Sequence, residues 1–137
     1  MCVVTEVALV RSPENTAVIR DSTVTMSCTS DASNAFIEWY NNSTCGDYGA
    51  TSDCTRSSLI YNGYTDNKNL PRFSVTKVNN ATHVTRDLSI SPTQLSDAGV
   101  YVCVENIPGQ GVQQIRTAQF VVLGTYLLMC KKSVICG

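Results

Sequence analysis

Short alternating runs separated by turn-forming residues constrain this chain more than any other feature. Nine segments read as strands: residues 6–11, 16–20, 23–29, 36–40, 58–61, 72–77, 84–91, 100–105 and 115–123. "TVTMSC" places Val24, Met26 and Cys28 on one face. "VTRDLSIS" does the same for Val84, Leu88 and Ile90, with Arg86 interrupting the row. The intervals carry turn chemistry: Ser12-Pro13, Asn41-Asn42, Asn62-Gly63, Asn79-Asn80 and Pro108-Gly109. No helical period competes with this pattern. Many short strands in one domain's length of chain imply two packed sheets or a closed barrel.

Charge and cysteine usage narrow the class. A net charge of -1 with 15% charged residues gives no electrostatic footprint for nucleic acid or an anionic membrane surface. The Lys131-Lys132 pair is too small a cluster to supply one. Seven cysteines in 137 residues suggest either metal or redox chemistry, or disulfides made in an oxidising compartment. The chain has no C-x-x-C, and its only histidine, His83, is remote from every cysteine, so the close-set ligand pairs of a zinc site are missing. Sequons at Asn41, Asn42 and Asn80 point the same way as the disulfide reading. "MCVVTEVALVR" does not read as a leader, because it lacks a basic start and Glu6 interrupts the apolar stretch. Residues 120–130 are mostly apolar but fall short of the roughly twenty residues that a spanning helix needs. The expectation is an extracellular domain, without direct membrane insertion, whose leader lies outside this chain.

A few residues within the array are more specific. Trp39 follows Cys28 by 11 residues and Cys103 follows Trp39 by 64. In "SDAGVYVC", Tyr101 stands two before Cys103 and Asp97 four before Tyr101, while "LPRFSV" supplies Arg72. Together these residues resemble the variable-type domains of the immunoglobulin superfamily. The resemblance implies an all-β, two-sheet Greek-key sandwich over residues 6–123, with an N-terminal extension (1–5) and a C-terminal tail (124–137). It also implies a disulfide between Cys28 and Cys103 that joins the sheets and packs on Trp39, and a tyrosine corner at Tyr101. Arg72 is expected to pair with Asp97. All six residues are thereby scaffold, not binding groups. The interval of 75 residues between the two cysteines leaves room for the extra C′ and C″ strands. One departure concerns Gly109-Gln110-Gly111, which lacks the preceding aromatic of the bulge in strand G of antigen-receptor domains. That absence weakens antibody-like or T-cell-receptor-like pairing and leaves open adhesion molecules, innate receptors and invertebrate recognition proteins.

The remaining cysteines divide into a pair and a remainder. Cys45 and Cys54 lie nine apart in "STCGDYGATSDCT", so a local disulfide pinning that loop is one reading, contributing about 3 kcal/mol by chain entropy. Metal ligation by Asp47 and Asp53 with these thiols is the other. Cys2, Cys130 and Cys136 are left, an odd number, so at least one stays free or joins another chain. Catalysis needs a nucleophile, a base and an orienting group in one place. No such set, cofactor motif or phosphate-binding loop is visible, and the chain reads as no enzyme.

The function that follows is recognition of a protein partner, homophilic or not, in a receptor or adhesion setting. A carbohydrate or pathogen surface is a further class of partner, and a spacer domain without its own ligand is the alternative. Two surfaces compete. One is the loop end (residues 29–35, 62–69 and 106–114), including Ile107 and Gln110. The other is the open face of strands G, F, C and C′. "VYVCVEN" is apolar on both faces, so if Tyr101 and Cys103 point inward, Val100, Val102 and Val104 point outward beside Glu38 and Tyr40. An exposed apolar face of that kind marks an interaction site. Residues 107–114 contain neither Tyr nor Trp, the usual anchors of loop-borne sites, and a glycan at Asn80 would crowd the loop end. The sequence therefore favours the open face.

Overall fold

The computed structural model describes residues 9–41, 59–66, 68–110 and 114–124. Among them are ten strands: β1 (Leu9–Arg11), β2 (Thr16–Ile19), β3 (Val24–Met26), β4 (Thr29–Ser30), β5 (Phe36–Asn41), β6 (Leu59–Tyr61), β7 (Phe73–Asn79), β8 (Val84–Ile90), β9 (Gly99–Asn106) and β10 (Gln114–Leu123). A 3-10 turn, Leu95–Asp97, leads into β9. One sheet runs β1-β4-β8-β3 with β7 on the other edge of β8, and the second runs β2-β10-β9-β5-β6.

The first two strands show how local sequence directs topology. Pro13 cannot donate to a ladder, so the chain breaks there and changes sheets. β1 pairs antiparallel with β4, whereas β2 pairs parallel with β10, with Thr16 opposite Phe120 and Ile19 opposite Leu123. The segment expected as one strand over residues 23–29 is two, β3 and β4. Between them the Arg86 N–H still donates to the Cys28 carbonyl at 2.9 Å, so the edge continues through the break.

Alternation builds the core. Val24, Met26 and Cys28 are all buried, as their spacing requires, and Val84, Leu88 and Ile90 oppose them from β8. Arg86 holds the fourth inward position of that row and is buried too. Its guanidinium donates to the Asn79 side chain and to the Thr85 carbonyl, which keeps the charge at the margin of the core. From the second sheet come Ile37 and Trp39 of β5, Tyr61 of β6, Tyr101 and Cys103 of β9, and Phe120 of β10. These aromatic rings dominate the apolar area removed from water.

Candidate functional site

The junction of β5, β9 and the opposing sheet is fixed first. Cys28 and Cys103 are disulfide-bonded with Cα atoms 6.6 Å apart, joining the two sheets. Trp39 stands directly opposite Cys103 on the neighbouring strand, and its indole N–H donates across the core to the Arg86 carbonyl at 2.9 Å. The Tyr101 hydroxyl donates to the Asp97 carbonyl at 2.7 Å and accepts from the Asn41 side-chain amide at 3.3 Å. Arg72 grips Asp97 with two nitrogens, at 2.7 and 2.8 Å, and also donates to the Pro92 carbonyl. Burial alone would raise the Asp97 carboxyl. The hydrogen bonds from Arg72 and from the Gln94 N–H outweigh it and hold the group below its ordinary range.

On the outer face of the β10-β9-β5-β6 sheet the expectation of an exposed apolar patch is wrong. Val100, Val102 and Val104 do point away from the main core, but they form a second small cluster with Tyr40 and Ile115. Val102 and Val104 are 0% and 1% exposed. Pairing on both sides places β10 and β5 against β9, and the larger neighbours Tyr40 and Ile115 pack against the valines. Polar groups stand beside them. Glu38 accepts from the Tyr40 hydroxyl at 2.8 Å and from the Asn106 amide at 2.7 Å, tying β5 to β9. Leu59 lies opposite Tyr40 and is partly exposed.

The loop end is differently built. Ile107, expected there as a contact residue, is buried, while Gln110 is exposed and its N–H closes the turn onto the Ile107 carbonyl at 3.1 Å. The large aromatic at this end is Tyr64, 69% exposed, in the turn that follows β6. Its ring stacks on Phe36 at the start of β5, with centroids 6.0 Å apart and planes 20° from parallel. The backbone beneath it is pinned. The Asn62 side chain accepts from the N–H groups of Tyr64 and Thr65, each at 2.9 Å, and Lys77 of β7 donates to the Tyr64 carbonyl at 3.0 Å. Gly63 is required here, because its φ is +94° and a Cβ would come within 3.1 Å of the Phe36 ring.

A family model described as "Immunoglobulin V-set domain" matches residues 11–123. The chain belongs to the V-set family. No curated protein matches it. A solved structure described as "Crystal Structure of the RIG-5 IG1 homodimer" superposes with a TM-score of 0.62 at 17% identity, covering 82% of this chain and 92% of that one. At that identity the likeness shows the fold alone. V-set domains are typically recognition modules without enzymatic activity and are common in receptor and adhesion proteins.

The V-set frame places the remaining expected residues. Asn41 ends β5, at the end of the sandwich away from the turn that holds Tyr64. Asn80 lies in the exposed turn between β7 and β8, beside β4, since Val84 pairs with both Asn79 and Ser30. Asn42, Cys45, Asp47, Asp53, Cys54, Cys2, Cys130, Cys136 and Gly111 lie outside the described residues. Among those that are described, no cluster of three or more His, Cys, Asp or Glu side chains could hold a metal ion, and no helix is long and apolar enough to cross a membrane.

Two residues of this V-set domain were not anticipated. Tyr64 follows the Asn62-Gly63 turn signal, but nothing local distinguishes a loop aromatic that stands out from one that folds in. Glu105 is buried at 1% exposure, accepting a hydrogen bond from the Ser30 hydroxyl, which itself accepts from the Ala32 N–H at 3.1 Å. Burial pushes its carboxyl up and Asp31 adds to the rise, against the Ser30 bond and the Arg116 charge. A signal for Glu105 existed: it stands two beyond Cys103 and four beyond Tyr101, on the inward face.

Proposed function

We propose that this V-set domain is an extracellular protein-recognition module that engages its partner through the loop end, with Tyr64 as the central anchor. The observation that carries this reading is an aromatic ring 69% exposed on a backbone held by three hydrogen bonds. A large side chain normally loses rotamer freedom on binding, but stacking on Phe36 restricts this one beforehand, so less ordering cost falls on association. The buried valines support the same choice, because side chains already removed from water gain nothing further by docking. The Cys28–Cys103 bond fits an oxidising compartment and hence an extracellular site.

A second reading is self-association across the sheet face through the Glu38-Tyr40-Asn106 row. Its support is the description of the RIG-5 IG1 neighbour as a homodimer, at 17% identity. Both readings are tested by presenting the multimerised domain to cells displaying individual extracellular proteins, this domain included. The strongest binder should weaken at least about tenfold, about 1.4 kcal/mol, with Tyr64→Ala. If Tyr64→Ala binds normally while Glu38→Ala abolishes binding, the sheet face is the site. If no displayed protein binds, the domain is a spacer.

A further inference from the structure

We infer that Asn80 carries an N-linked glycan and that Asn41 does not. Both head an Asn-x-Ser/Thr sequon, so sequence treats them alike, and the fold separates them. Asn80 is exposed in the turn between β7 and β8. Its side-chain oxygen faces back into that turn, accepting from the Thr82 N–H at 2.9 Å, the Thr82 hydroxyl at 3.1 Å and the His83 N–H at 2.7 Å. That arrangement occupies the carbonyl and leaves Nδ2 on the other side of the amide, toward solvent, with no acceptor for it among the described residues. Asn41 is the reverse case. It is half-buried at the end of β5, and its Nδ2 donates to the hydroxyl of Tyr101, which is itself fully buried. A sugar on that nitrogen would stand against the Tyr101 hydroxyl and disturb the bond it makes to the Asp97 carbonyl.

The chemistry is a group transfer from a lipid-pyrophosphate-linked oligosaccharide in the secretory lumen. The Asn80 amide nitrogen forms a bond to C1 of the first sugar. The bond from C1 to the pyrophosphate oxygen breaks, the nitrogen loses one proton, and the lipid pyrophosphate leaves. In the folded product the glycan projects from a turn and interrupts no ladder.

The full chain, secreted from a eukaryotic cell behind a supplied leader, tests the assignment. Enzymatic release of N-glycans in heavy-oxygen water converts each carrier asparagine to labelled aspartate, read by peptide mass spectrometry. The label is expected at position 80 in most molecules and not at position 41. Asn80→Gln and Thr82→Ala should each remove a glycan's worth of mass, whereas Asn41→Gln and Thr82→Ser should not. An unlabelled position 80, or a labelled position 41, overturns the inference. The peptide measurement on the unsubstituted chain stands whether or not a variant is secreted. The inference rests on the secretory part of the proposed function, and supplying the leader separates the two, since a failure of recognition would show only in binding.

Discussion

Asp97, in the turn before β9, and Glu105, near the end of that strand, are shifted in opposite directions. Asp97 titrates below its ordinary 3.8, so the stability its ion pair supplies is complete above that value and is lost as pH falls through the lower folded one. Asp97→Asn should therefore cost about 3 kcal/mol at neutral pH, by leaving Arg72 without its charge partner. The deficit should shrink in acid, read from urea midpoints at neutral pH and below 3.8. Glu105 runs the other way. Its carboxyl is raised above 4.5, so its contribution is complete below that pH and is lost as pH rises through the folded value. Glu105→Gln, neutral throughout, should melt higher than the wild type at neutral pH, with the gap closing below 4.5; equal melting at all pH values would refute this. At this scale the sequence was largely readable. Arg72, Asp97, Tyr101 and Cys103 occur in a fixed order because each bond they make is tied to one turn and one strand. For Glu105, alternation with Tyr101 and Cys103 marks the inward position, but its Ser30 partner is 75 residues away and could not be read locally.

Strands of this length are specified by a few positions each, and most were visible as alternation. β8 and β9 run within one or two residues of the segments read from sequence. The outer face of β9 was misjudged for a physical reason. Alternation tells which way a side chain points, but not what packs against it: Ile115 is across the hairpin on β10, and Tyr40 comes from β5, about sixty residues earlier. The consequence is measurable. Val102→Ala should lower stability by about 2 kcal/mol, as for a core truncation, and reduce partner binding only through loss of folded protein. Tyr64→Ala should do the opposite, costing about 1 kcal/mol or less in stability from the lost stack on Phe36 while weakening binding. Thermal melts and binding isotherms on the same two variants separate these outcomes.

At the scale of the whole molecule, the Cys28–Cys103 bond links the two sheets covalently. Replacing both Cys28 and Cys103 by Ala releases a denatured-state constraint over 75 residues, a loss of about 4.5 kcal/mol in the chain-entropy view. Against typical domain stabilities of about 5–15 kcal/mol, the variant should be marginal at body temperature, as seen by circular dichroism. The parallel pairing of β2 with β10 has a mechanical consequence. The chain enters that pair at Thr16 and leaves it at Leu123, at opposite ends of two strands that run side by side. Tension applied through the flanking chain pulls them past each other, so the cross-strand bonds are strained together instead of parting one after another. Forced unfolding is governed by the unfolding rate. Handles beyond Thr16 and Leu123 should therefore demand more force than handles on the directly facing residues Thr16 and Phe120, which peel the ladder from one end. Tension that passes from one flanking segment to the other is thus carried lengthwise by β2 and β10.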